Sequence, residues 1–141
     1  MEILEKLIDH GIMGILGFMS IVSLSIIFDR FIYFRKINLS SYDDKRILEL
    51  ELTSKMHILA SIGSNAPYIG LLGTVLGIIL TFYKIGSSGL MDSGAIMTSL
   101  ALTMKVTALG LVVAIPSIIL YNVLIRKVKV IIVKWEVGNG R

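Results

Sequence analysis

Hydroxyl side chains on two apolar stretches, Thr74 and Thr81 on one and Ser99, Thr103, Thr107 and Ser117 on the other, have the types and spacing that could do chemistry. On the first stretch Gly63, Pro67, Gly70, Thr74, Gly77 and Thr81 are separated by four, three, four, three and four residues, which keeps them on one helix face. On the second, Ser99, Thr103, Thr107, Gly110, Ala114, Ser117 and Tyr121 follow at four, four, three, four, three and four. The opposite faces are largely Leu, Ile and Val. Two uses are open. In lipid, apolar burial gives little drive for helix association, so small residues that permit close approach gather at helix interfaces; Gly70, Gly73-x-x-x-Gly77 and Gly110-x-x-x-Ala114 fit that packing role. Alternatively, Thr74 and Thr107 line a narrow polar pathway, since hydroxyls hold water or relay a proton without the cost of an unpaired charge.

Lys105 is the formally charged residue inside the second of these stretches. An ammonium near mid-membrane costs roughly 2.5 to 3.5 kcal/mol, so it must snorkel, pair or lose its proton. At about 100° per residue it lies roughly opposite Thr107 on the helix, and is not a further member of the threonine row. Two roles are open for it: pairing or snorkelling at an interface, or control of an ion or partner, for example by meeting a partner carboxylate and tuning its proton affinity. Pro67 and Pro116 each remove a backbone donor and disfavour a straight helix, a kink that lipid tolerates when neighbours satisfy the freed carbonyl.

Other chemistries find no support. His10 and His57 stand near opposite membrane faces with no Ser/His/Asp or metal-ligand spacing around them, so no catalytic residue, metal or cofactor is expected. The glycines of the first stretch lack the Lys-Ser/Thr ending of a phosphate loop. With no cysteine there is neither a disulfide framework nor a thiolate nucleophile. The net charge of +4 clusters beside the apolar stretches, where topology explains it better than nucleic acid does.

The elements that must carry these residues are membrane helices. A composition that is 55% hydrophobic and 17% charged, with mean hydropathy +0.82, is too apolar for an ordinary soluble domain. A bilayer core of about 30 Å needs roughly 20 apolar residues. Three stretches qualify: residues 11–28, 60–83 and 95–125, the last extended so as to include Lys105. The leader before residue 11 is acidic and no small-x-small site follows the first stretch, so that stretch should persist rather than act as a cleaved signal. Residues 29–57 and 126–141 hold Arg30, Arg35, Lys36, Lys45, Arg46, Lys55 and then Arg126, Lys127, Lys129, Lys134, Arg141. Both segments should be cytoplasmic, which puts the N-terminus outside. Asn38, Ser40 and Ser41 before Asp43 and Asp44 read as a capped helix start. Ile47, Leu48, Leu52 and Met56 suggest a helix running toward the second span, and Val128, Ile131, Ile132 and Trp135 suggest that the third span continues as helix. The whole is an all-α integral membrane domain with helical cytoplasmic extensions.

The strings Asn65-Ala66-Pro67-Tyr68-Ile69-Gly70-Leu71-Leu72-Gly73-Thr74-Val75-Leu76-Gly77-Ile78 and Thr107-Ala108-Leu109-Gly110-Leu111-Val112-Val113-Ala114-Ile115-Pro116, extended by Tyr121-Asn122, resemble the ExbB/TolQ/MotA proton-channel family, most closely its ExbB branch. The resemblance covers residues 62–122; the first span and the cytoplasmic segment match in arrangement, and their shortness suggests a compact member. It implies a pentamer in the bacterial inner membrane whose second and third spans surround a pore, with helices of a single-span partner, ExbD, inside. Thr74 and Thr107 would correspond to the family's pore-facing threonines. Proton entry from the periplasm would move the partner and, through TonB, energise outer-membrane uptake of nutrients. One departure stands out: family members often carry a glutamate five residues before the threonine matching Thr107, and this chain has Leu102. The partner would then supply the titrating carboxylate. A TolQ-like motor for envelope integrity, or a passive membrane scaffold, are the alternative functions.

Overall fold

The computed structural model describes residues 2–89 and 92–139; Arg141, counted above with the basic tail, lies outside them. Among the described residues all regular structure is helical. Helix α1 spans Glu2–Lys36, a single 3₁₀ turn covers Leu39–Ser41, and α2 is Lys45–Leu52; α3 is Met56–Ser88 and α4 is Ser93–Gly138. The three long helices have the length and apolar character to cross a membrane. At 1.5 Å per residue, the 46 residues of α4 extend about 69 Å, well beyond a 30 Å hydrocarbon core.

Each helix outruns the apolar stretch that announced it. The first stretch, residues 11–28, is the middle of a 35-residue helix, because flanking charges mark where lipid ends and do not interrupt backbone hydrogen bonding. Acidic Glu2 and Glu5 at the start of α1, and Arg35 and Lys36 at its end, complement the helix dipole. Asp92 caps α4, its carboxylate accepting from the Ala95 N–H at 2.6 Å. Pro67 and Pro116 lie inside α3 and α4, and neither ends its helix.

The region between α1 and α3 differs in detail from the sequence reading. Asn38 caps the 3₁₀ turn, while Asp44 caps α2 by accepting from the Arg46 N–H at 2.9 Å. Leu48, Leu52 and Met56 bury their side chains and Ile47 is exposed. The helix does not run on into the second span: it stops at Leu52, and Lys55 adopts a left-handed conformation, φ 66°, immediately before α3.

Three stacked clusters hold the bundle. Ile12 and Leu16 of α1 meet Ala66 of α3 and Val106 and Ala114 of α4. Further along, Ile26 and Ile27 meet Met56, Leu59 and Leu124. Beyond these, Leu48 and Leu52 of α2 pack on Val128 and Trp135 of α4. Residue numbers rise along α1 and α4 and fall along α3, so α1 and α4 run parallel with α3 antiparallel to both. The other faces remain apolar and exposed, among them Tyr68, Leu71, Val75, Ile79 and Phe82 of α3.

Candidate functional site

The seam between α3 and α4 is the tightest contact in the molecule, and glycine makes it possible. A Cβ on Gly70 would lie 2.9 Å from the Val106 carbonyl oxygen and 3.2 Å from the Gly110 Cα. One on Gly110 would lie 2.7 Å from the Ala66 carbonyl oxygen, so backbone meets backbone at this crossing. Gly73 and Gly77 accommodate the side chains of Val106 and Thr103, and Ala114 is buried in the same seam. Close approach of this kind gains dispersion energy that lipid-facing Leu or Ile side chains would forfeit.

Three hydroxyl pairs cross between helices. Thr81 Oγ1 and Ser99 Oγ are 2.9 Å apart, with Thr81 buried and also donating to the Gly77 carbonyl in an alternative orientation. Ser23 of α1 meets Ser117 of α4 at 2.7 Å, both buried. Between them in height lie Thr74 and Thr107, half-buried and hydrogen-bonded to each other. Thr74 Oγ1 also lies 3.0 Å from the Thr103 carbonyl oxygen, and Thr107 Oγ1 lies 3.3 Å from that of Gly70. Each hydroxyl has one proton to give. The pair can therefore be bonded in either sense: Thr107 donates to Thr74, which donates to the Thr103 carbonyl or, at 3.4 Å, to that of Gly70, or Thr74 donates to Thr107, which donates to the Gly70 carbonyl. Switching between them reverses the donor direction across the seam.

Neighbouring residues give the pair its orientation. A Cβ on Gly73 would meet both Val106 and Ile12, so Gly73 and Val106 lie on the α1 side of the seam. Thr74 and Thr107 each follow by one residue, about 100° further round antiparallel helices, and so sit on the side turned away from α1.

Lys105 is exposed on α4 and forms no ion pair among the described residues. It precedes buried Val106 and stands away from the threonine pair. Leu102 is 61% exposed. Pro67 is half-buried and Pro116 exposed. Thr74, Thr107, Gly70, Gly73, Gly77, Gly110 and Ala114 thus converge on one seam, Pro67 follows Ala66 at its edge, and Lys105 and Pro116 are exposed away from it.

A matching family model covers residues 30–137 and describes the MotA/TolQ/ExbB proton channel family. The chain belongs to this family. It is 52% identical over 140 residues to the biopolymer transport protein ExbB of Aquifex aeolicus, covering 99% of this chain and 95% of that protein. A putative biopolymer transport protein ExbB-like 2 of Helicobacter pylori is 47% identical over 134 residues, 95% of this chain and 89% of that protein. The ExbB of Neisseria gonorrhoeae matches over 76 residues at 46% identity, 54% of this chain and 34% of that protein. Family members of quite different length thus share part of this chain, and the Aquifex and Helicobacter proteins share nearly all of it.

The sequence reading missed two sets of residues. Ser23 is one of several hydroxyls in α1, and its partner Ser117 is 94 residues away, so no local spacing marks it. The other set is a junction at the basic end. Arg30, counted above as a topology signal, is 6% exposed. Its guanidinium donates to the Asp29 carboxylate at 2.8 Å and to the Glu51 carbonyl at 2.9 Å, and packs 4.6 Å from the Tyr33 ring centre. The Glu51 carboxylate accepts from Tyr33 and Tyr42, and the Trp135 indole N–H donates to the Tyr42 carbonyl at 3.0 Å. Hydrogen bonding to Glu51, then to Tyr33, holds the Tyr42 phenol well above its ordinary pKa of 10.0. Lys45 pairs with Glu136 at 2.6 Å, which raises its own pKa above 10.5.

Proposed function

We propose that this chain is the pore-forming stator subunit of a proton-motive-force-driven motor in the bacterial inner membrane, with its N-terminus periplasmic and its C-terminus cytoplasmic. The names of the Aquifex and Helicobacter relatives support a biopolymer-transport role. In this reading copies of the chain, five by family resemblance, enclose a pore with α3 and α4 inward and α1 outward. A single-span partner of ExbD type occupies the pore, and a TonB-like protein carries its movement to outer-membrane transporters that take up nutrients. Spans at residues 11–28, 60–83 and 95–125, with residues 29–57 and 126–141 in the cytoplasm, give the corresponding topology.

The observation that carries this reading is the Thr74–Thr107 pair on the side of the seam turned away from α1, where a helix inserted in the pore would meet it. Gly70, Gly73, Gly77, Gly110 and Ala114 hold the pair in register, and Pro67 and Pro116 set the local axes of α3 and α4. With Leu102 where the family often has glutamate, and no Asp or Glu between His57 and Lys84 or between Ser93 and Arg126, the partner supplies the titrating carboxylate. Lys105, roughly opposite Thr107 on α4, snorkels or pairs at an interface; altered flux or partner titration in Lys105→Met at unchanged assembly would instead give it control of the partner's charge.

One observation favours a passive scaffold instead: each threonine hydroxyl is already satisfied within the protomer. Proton flux into proteoliposomes under an imposed potential separates the two. The motor reading expects flux in complexes containing the single-span partner, and its loss when the partner's carboxylate is replaced by the corresponding amide. A verified complex that carries no flux overturns it in favour of the scaffold. Which partner co-purifies, of the uptake or the envelope-integrity type, distinguishes an ExbB-like from a TolQ-like motor.

A further inference from the structure

The basic end of the bundle carries a groove that the threonine site leaves unused. On the last turns of α1, a cavity of about 350 Å³ is lined by Ile27, Phe28, Phe31, Ile32 and Arg35. It adjoins, through the shared Arg35, a second cavity of about 250 Å³ whose lining includes Arg126, Lys127, Val130 and Lys134. The Lys127 ammonium lies 4.4 Å from the Phe31 ring centre, so a residue of the second cavity is held over a wall of the first. One end of the combined groove is apolar and the other is cationic. Among the described residues Arg35, Arg126, Lys127 and Lys134 form no ion pairs, and the carboxylates that stand nearest in sequence, Asp29 and Glu136, are engaged by Arg30 and Lys45.

Depth decides what fits. The apolar run of α1 ends at Asp29, and Arg35 lies six residues further on, about 9 Å along the helix axis. Headgroup regions occupy roughly 5–8 Å on each side of a 30 Å core. The Arg35 backbone therefore stands at the outer edge of that layer, from which its long side chain reaches back to phosphate depth, with Ile27 and Phe28 at the depth of the adjoining acyl chain and Phe31 at the boundary. Positive charge on an exposed groove next to an apolar channel matches one molecule that has a phosphate and a hydrocarbon tail joined end to end.

We propose that this α1–α4 groove is a binding site for an anionic glycerophospholipid of the leaflet on the basic side, with its phosphate on Arg35, Lys127 and Lys134 and an acyl chain along Ile27, Phe28 and Phe31. The site rests on the membrane-spanning reading and is independent of proton conduction. It gives a pathway for the lipid composition of the membrane to act on the packing of α1 against α4, the outer wall of the proposed stator.

The test is native mass spectrometry of the full-length oligomer released from nanodiscs containing equal phosphatidylglycerol and phosphatidylcholine. The expected result is selective retention of phosphatidylglycerol. Each cation near an anionic headgroup contributes about a fivefold preference, so Arg35→Gln/Lys134→Gln should lower the selectivity roughly 30-fold. Both side chains are exposed, and the oligomer mass in the same spectra verifies assembly. Lys36→Gln, which removes an equal charge from a residue outside the groove, should leave the selectivity intact. Equal retention of both lipids by the unaltered protein, equal losses in Lys36→Gln and the double variant, or complete displacement of the lipid by inorganic phosphate would each overturn the site. Loss of lipid selectivity with proton flux intact, or the reverse, distinguishes failure of this site from failure of the motor reading.

Discussion

The α3–α4 seam and the junction around Arg30 are both polar places where helices meet, built from opposite materials. The seam uses uncharged groups: threonine and serine hydroxyls, backbone carbonyls, and glycines that bring the two backbones into contact. The junction uses a buried guanidinium, carboxylates, phenols and an indole to fasten α2 between α1 and the far part of α4. The difference follows from solvent. Within lipid an unpaired charge costs several kcal/mol, whereas a hydroxyl can bond to a carbonyl of its own helix and still offer its oxygen across the interface. At the basic end water is near, and charge-assisted bonds form without stranding either partner. The seam can change its hydrogen-bond direction at little cost, and the junction is fixed by many simultaneous bonds.

The largest expected effect sharpens that contrast at the junction. Arg30→Met removes the closest donor of the Asp29 carboxylate, leaving Lys55 at 3.7 Å, and of the Glu51 carbonyl, leaving the Ser54 N–H at 3.4 Å, which should destabilise the α2 attachment by about 3 kcal/mol. The single tryptophan, Trp135, is buried against α2, so its emission should shift to the red in this variant and α2 should become sensitive to protease. An unchanged Trp135 spectrum would show that apolar packing alone fixes α2.

Gly70→Ala comes next. The new methyl meets backbone that cannot rotate aside, so the seam must open, at about 1–3 kcal/mol of stability. Gly17→Ala, with open space around its Cβ position, should be neutral or slightly stabilising because alanine favours helix. Thermal unfolding in detergent compares the two, and equal melting temperatures would refute close backbone packing as the basis of the seam.

Replacing both threonines with valine should cost only about 1 kcal/mol, since interhelical hydrogen bonds in membranes are individually weak. Trp135 emission should stay unchanged in that variant, and a shift would show that the seam and the junction are coupled. The smallest effect is on pH. Tyr42 and Lys45 both have raised pKa values, so the stability they lend the junction is complete below pH 10 and is lost as the pH rises through their folded values. An alkaline titration followed by Trp135 emission should show loosening above pH 10, while loosening that begins near neutrality would contradict the assignment.

Much of this architecture was legible because membrane helices advertise themselves. The four-and-three spacing from Gly63 to Thr81 identified the α3 face that meets α4, since close approach needs small residues at a helical interval. Charge-bounded apolar runs located the spans but understated the helices, as with α1, whose backbone bonding continues past Asp29. The break at Lys55 was invisible because a non-glycine residue rarely takes positive φ, and the apolar interval from Leu48 to Met56 ran straight through it. Arg30 read as a topology signal because the partner that ties it to α2, the Glu51 backbone carbonyl, lies 21 residues away and no residue type announces it. The mutual contact of Thr74 and Thr107 depended on antiparallel register between helices, which neither stripe contains by itself.

The central proposal is that the Thr74–Thr107 pair forms part of a proton pathway and is more than a packing contact. Its most direct test is proton flux through partner-containing proteoliposomes, comparing the unaltered chain, Thr74→Val/Thr107→Val and Thr74→Ser/Thr107→Ser at matched assembly. Valine retains the shape of threonine without the hydroxyl, and serine retains the hydroxyl at smaller volume. Flux abolished by valine and largely kept by serine is the expected result; equal flux in all three would reduce the pair to a structural contact and contradict the pathway.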